Sequence, residues 1–171
     1  PGWDDVPIVK MVETELGIPA FLQNDADACA LAEWQFGAGR GCENMIFLTF
    51  GTGMGAGLIL GGRLYSGTNG NAGEVGHIRM APFGPVGYGK AGSFEGFCSG
   101  GGIAQFAAAR AREALQMGRP VSYCKSPEEL SSITVKRIAE CADAGNTDAI
   151  ELFSECGEML GRGLSVLIDL L

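Results

Sequence analysis

Three carboxylates, an amide and the chain's single histidine stand on short segments between apolar runs: Asn24-Asp25, Glu74 with His77 three residues on, and Glu95. Donors and acceptors of these kinds, gathered in one place, suit a ligand rich in hydroxyl groups. Gln23-Asn24-Asp25 comes just before the alanine-rich stretch Ala26 to Phe36. Asp25 is therefore expected at a strand-to-helix junction, where helix N–H groups hold and favour a carboxylate. Taken alone, the pair also reads as a simple helix cap. Glu74 and His77 share a loop framed by Gly70, Gly73 and Gly76, and a solvated loop with chance charges is the competing reading. Ser93-Phe94-Glu95 adds a carboxylate after the glycine-rich stretch Gly84 to Gly92.

A second kind of chemistry is suggested by Leu48 to Leu60, where Gly51, Gly53, Gly55 and Gly57 alternate between apolar segments. Glycines let backbone N–H groups converge on an anion, and Thr52 adds a hydroxyl donor, so this turn is expected to meet a phosphate. A glycine-rich hairpin that only turns the chain is the alternative.

Positioning these residues requires the surrounding elements. Ile8 to Leu16 reads as a helix closed by Gly17, and Pro19 to Leu22 as a short buried strand. The helix Ala26 to Phe36 follows, then strands at Met45 to Phe50 and Gly57 to Leu60, with Gly61-Gly62 as the hairpin turn. Ser66 to Gly102 reads as a long glycine-rich loop. Helices are expected at Ile103 to Met117, Thr134 to Ala144 and Asp148 to the end, with a short one opened by Ser126-Pro127-Glu128-Glu129. Ser126 and Glu129 have capping-box spacing, and Pro127 stands at the first helical position. Gly157 and Gly161 share a face of the last helix that would admit a close neighbour. The expectation is one α/β domain, strand-rich in its first half and helical in its second.

The 171 residues suffice for one domain with a real core, and no run reaches membrane-spanning length. A net charge of −8 argues against a nucleic-acid surface on this region. The six cysteines are scattered without a C-x-x-C pair, as reduced thiols would be, and no signal peptide precedes Pro1, so a cytoplasmic setting is expected. The chain begins without methionine and stops inside an apolar helical pattern. It reads as a fragment of a longer protein.

Four motifs in this order carry a family resemblance: Gln23-Asn24-Asp25-Ala26, Gly51-Thr52-Gly53-Met54-Gly55-Ala56-Gly57, Asn69 to His77, and Gly92-Ser93-Phe94-Glu95. Together they resemble the ROK family of repressors and sugar kinases along nearly the whole chain. The resemblance implies the actin-like, ribonuclease-H-like ATPase fold, two α/β domains with the active site in the cleft. This chain would be most of the larger, C-terminal domain, lacking the N-terminal phosphate loop and the extreme C-terminus. It also implies that Asp25 is the catalytic base taking the proton from a sugar hydroxyl. Asn24, Glu74, His77 and Glu95 would hold the sugar, and Gly51, Thr52, Gly53 and Gly55 the phosphates of ATP with Mg2+. The implied substrate is a hexose or N-acetylhexosamine, and the implied assembly a homodimer without membrane contact.

The chain also departs from the family. Most members carry Cys-x-Cys-Gly-x-x-Gly-Cys-x-Glu after the histidine and bind structural zinc with it, whereas Val86, Tyr88 and Ser93 stand at the three cysteine positions here. No structural zinc is expected. The competing readings are the sugar-sensing domain of a ROK-type repressor and a non-catalytic relic of the fold.

Overall fold

A computed structural model describes residues 4–171. Helix α1 (Ile8–Leu16) ends on Gly17, whose left-handed backbone (φ 67°) lets its N–H reach the Glu13 carbonyl. Helix α2 (Asp25–Phe36) leads into a three-stranded antiparallel meander of β1 (Met45–Phe50), β2 (Met54–Leu60) and β3 (Arg63–Leu64). The register runs from Met45 opposite Ile59 to Phe50 opposite Met54, and Gly61-Gly62 makes the tight turn into β3 with both φ values positive. Helix α2 lies across β1 and β2 on a face of small side chains, with Ala26 and Ala30 buried. The approach is close enough that a Cβ on Gly57 would stand 2.6 Å from both the Ala26 carbonyl oxygen and the Ala30 Cβ.

The region expected to be one long loop is more ordered. It holds a 3-10 turn (Val75–His77), a hairpin of β4 (Val86–Gly87) and β5 (Lys90–Ala91), and helix α3 (Phe94–Cys98). Ser93 caps α3 by accepting the Gly96 N–H at 3.1 Å. Helix α4 (Gly100–Gln116) starts three residues earlier than expected, capped by Ser99. The helical second half continues through a 3-10 segment (Pro127–Ser132), α5 (Val135–Asp143) and α6 (Thr147–Leu170).

Two apolar clusters hold these layers. One joins α4, α5 and α6 through residues including Ala107, Tyr123, Ile138 and Leu152. The other places Met54 of β2, Phe94 of α3 and Leu167 of α6 in contact, so the sheet, α3 and the last helix share one core. Full burial of a side chain such as Phe94 or Ile138 contributes about 1.5–3 kcal/mol. No helix among the described residues is long and apolar enough to cross a membrane.

Three local expectations are corrected. Residues 19–22 form no strand, and Phe21 and Leu22 are 93% and 74% exposed, because no described strand lies alongside to supply ladder partners. Ser126 makes no capping bond. Glu129 instead turns to the Lys125 N–H and pairs with Arg137, and the segment winds as a 3-10 turn. In α6 a Cβ on Gly157 or Gly161 would meet nothing, whereas Gly163 faces the ring of Phe94. The close approach in this helix is therefore at Gly163.

Candidate active site

The N-terminus of α2 separates two duties that the sequence joined. Asn24, extended at φ −60°, ψ 144°, is the cap, its Oδ1 accepting the N–H groups of Ala26 at 2.9 Å and Asp27 at 3.2 Å. Asp25 is the first helical residue and commits only Oδ1, to Ala26 N–H at 2.9 Å. Its side chain stays exposed, held by the helix yet open to a ligand. Asp27 is buried at 6% exposure, and Gln23 Nε2 donates to its Oδ2 at 2.8 Å.

Asn24, Asp25 and Asp27 line a cavity of about 370 Å³. Gly51, Gly53 and Gly55 of the glycine turn, and Gly73 and Glu74, line the same cavity. A Cβ on Gly73 (φ 91°) would strike the Ala56 carbonyl, so glycine is required for this loop to lie against β2.

The turn between β1 and β2 is fixed from behind. Gly51 N–H donates to the Gly53 carbonyl, while Gly100 and Gly101 at the start of α4 donate to the Gly51 and Thr52 carbonyls at 2.8 and 3.0 Å. Among the described residues, the N–H groups of Thr52 and Gly53 find no acceptor. Unpaired amides at a glycine turn are groups able to donate to an anion. The glycines themselves have separate reasons: a Cβ at Gly51 would meet open space, Gly53 abuts Glu95, Gly55 abuts Thr49, and Gly57 packs on α2. Only part of the glycine pattern therefore belongs to the turn.

Asn24, Asp25, Gly51, Gly53, Gly55 and Glu74 are brought together around the cavity, whereas Thr52, His77 and Glu95 do not line it. His77 is half-buried behind Glu74, with Nε2 3.4 Å from the Glu74 carboxylate. Glu95 Oε2 accepts the Met54 N–H at 2.9 Å, a bond spanning 41 residues that ties α3 to the end of the turn. Asp27, like Thr49, lines the cavity although the motifs did not single it out. Its signal was an acidic residue two places beyond Asp25.

The positions that would hold zinc do not fit it. Val86 offers no donor, Ser93 Oγ is fully buried and used between Gly96 N–H and the Gly87 carbonyl, and the Tyr88 ring lies stacked on His77. Among the described residues, no group of three or more His, Cys, Asp or Glu side chains could hold a metal ion.

Asp25 at the head of α2 and Gly51, Gly53 and Gly55 of the glycine turn thus line one polar cavity. The chain belongs to the ROK family, whose pattern it matches over residues 1–171. The glucokinase of Halalkalibacterium halodurans is 35% identical over 172 residues, covering 99% of this chain and 51% of that protein. A ROK family glucokinase from Streptomyces griseus, solved in complex with glucose and AMPPNP, is 34% identical with a TM-score of 0.75, over 99% of this chain and 55% of that one. The N-acetylglucosamine repressor of Escherichia coli O157:H7 is 32% identical over 164 residues, 95% of this chain and 38% of the repressor. The chain spans about half the length of the glucokinases it matches. Its fold is the α/β, actin-like ATPase fold of the ROK sugar kinases.

Proposed function

We propose that the full-length protein is an ATP-dependent kinase of a hexose or N-acetylhexosamine, and that this chain is most of its larger, C-terminal domain. The observation that carries the proposal is the polar cavity lined by Asp25 and by Gly51, Gly53 and Gly55 of the glycine turn, in which the amides of Thr52 and Gly53 find no acceptor among the described residues. Similarity to the glucokinases supports the same chemistry.

The reaction would run as an in-line transfer. A sugar hydroxyl held in the cavity attacks the γ-phosphorus of ATP, its O–H proton passes to the Asp25 carboxylate, and the bond to the bridging oxygen breaks to release ADP. In a loose transition state the nucleophile needs orientation more than deprotonation, so a fixed carboxylate at the head of α2 is sufficient. Asn24 has spent its oxygen on the helix, which leaves its side-chain NH₂ to donate to a sugar oxygen. Glu74, with His77 behind it and Glu95 at the turn, would complete the grip on the sugar. The Thr52 and Gly53 amides would meet the nucleotide's phosphates, with Mg2+ arriving as part of the ATP complex. A homodimer in the cytoplasm, without nucleic acid on this region, completes the proposal.

The second reading, a sugar-sensing repressor domain, is favoured by similarity to the Escherichia coli repressor. A sensor needs neither a base nor free phosphate donors, and the site retains the residues for both. A coupled ADP-release assay on the full-length protein, preceded by a thermal-shift panel of glucose, mannose, fructose and their N-acetyl relatives, separates the two. The kinase reading expects one sugar both to stabilise the protein and to drive ATP turnover. Stabilisation by a sugar with no turnover would assign the sensor.

A further inference from the structure

We propose that Tyr88 is the positioning residue of this site, doing by stacking what a bound metal would do at the lost cysteine positions. The inference rests on the sugar-kinase reading for its consequence and on geometry for its substance. The β4–β5 hairpin pairs Val86 with Ala91 and Gly87 with Lys90, leaving Tyr88-Gly89 as a two-residue turn with φ values of 46° and 75°. That turn needs left-handed backbone at both positions, and Gly89 supplies it freely, but a tyrosine there is uncommon. Such a conformation persists when the surroundings fix it.

They do so here from two sides. The Gln105 side chain on α4 brackets the Val86 backbone, accepting its N–H at 3.2 Å and donating to its carbonyl at 3.0 Å. Buried Ser93 reaches the Gly87 carbonyl at 3.5 Å, and Gly87 lies so near α3 that a Cβ would stand 2.7 Å from the Glu95 Cβ. Held this way, the hairpin lays the Tyr88 ring on His77 with centroids 4.5 Å apart and planes 16° from parallel. The Tyr88 side chain otherwise faces solvent, at 79% exposure, so burial alone does not account for its placement.

The consequence runs inward. His77 touches Glu74, and Glu74 lines the cavity. Tyr88 therefore sets the imidazole plane, the imidazole sets the Glu74 carboxylate, and the carboxylate presents acceptors to the sugar. The stack is a π-face contact, so the ring is required and the hydroxyl is not.

The test uses the full-length protein with Tyr88→Phe and Tyr88→Ala. His77 ring-proton resonances, identified by comparison with His77→Gln, should move downfield in Tyr88→Ala as the ring current is lost and should hold their place in Tyr88→Phe. The dissociation constant for D-glucose should rise about three- to tenfold in Tyr88→Ala, the equivalent of one aromatic stack, and stay within about twofold in Tyr88→Phe. Turnover at saturating glucose should change less than the affinity. Chelation should leave glucose binding unaltered. Unmoved His77 resonances in Tyr88→Ala, unchanged affinity in that variant while the parent binds glucose, or one tightly held zinc per chain would each overturn the proposal. If the resonances move as expected and the parent binds no sugar, the stack stands and the sugar-kinase reading falls.

Discussion

Replacing Gly57 by alanine should slow catalysis without altering any residue of the site. Gly57 has no positive φ, so the added methyl strains nothing locally and acts through contact alone. It would sit 2.6 Å from the Ala26 carbonyl oxygen and from the Ala30 Cβ, whereas nonbonded carbon contacts settle at about 3.5–4.0 Å. Helix α2 must retreat from β2 by roughly 1 Å to make room, at a cost of about 1–3 kcal/mol for overpacking. The same helix carries Asp25, the proposed base, as its first residue, and a misplacement of about 1 Å at a reacting group lowers the rate by roughly 10²-fold. Urea melts should show the loss of stability, and steady-state kinetics should show kcat falling further than sugar affinity. A Gly57→Ala protein with parental stability and parental kcat would refute the claim that the α2–β2 contact sets the position of Asp25.

Gly157 provides the converse case: it is mid-helix, and a Cβ added there would meet nothing, so Gly157→Ala should raise stability by about 0.5–1 kcal/mol in the same melts, provided no partner covers that face. Glu74→Gln should weaken sugar binding in calorimetry by exchanging a charged acceptor for a neutral one. Glu95→Ala should also weaken nucleotide binding, because the Met54 N–H at the end of the turn loses its acceptor. Burial, then the neighbouring Cys156, pushes the Cys98 thiol up to about 12, and burial, then Glu155, pushes Cys156 up to about 11. A raised pKa means less of the reactive thiolate, so alkylation at pH 8 followed by peptide mapping should label exposed Cys29 and Cys42 well before either.

How far the sequence foretold this structure depended on whether the signal was local. Gly17 closing α1, the helices of the second half and the Gly61-Gly62 turn all rest on neighbouring residues, and all are present, whereas the second strand begins at Met54, three residues before the expected Gly57, because its first residues pair with β1. The start of α4 was misplaced because Gly100-Gly101-Gly102 has poor helix propensity. Tertiary demands explain those glycines: a Cβ on Gly100 or Gly101 would stand 3.0 or 2.8 Å from the Gly51 or Thr52 carbonyl oxygen of the β1–β2 turn, and a Cβ on Gly102 would strike the Gly96 carbonyl. Residues 19–22 looked like a strand by composition, but a strand also needs a partner, which composition does not reveal. At the site, the motifs brought Asn24, Asp25, the glycine turn and Glu74 into one cavity. The burial of Asp27, the commitment of Glu95 to Met54 and the stack of Tyr88 on His77 depend on contacts between distant segments, so no spacing encoded them.

The proposed chemistry turns on Asp25 accepting the proton from a sugar hydroxyl. Turnover of Asp25→Asn in the full-length protein, with sugar binding followed in parallel by calorimetry, probes that step at its reacting atom. The substitution keeps the size and one acceptor oxygen, so the helix start and most sugar contacts should survive. If Asp25 is the base, kcat falls by roughly 10²- to 10⁴-fold, the range for losing a positioned base, with a much smaller change in sugar affinity. Turnover near the parental rate in Asp25→Asn would show that it is not.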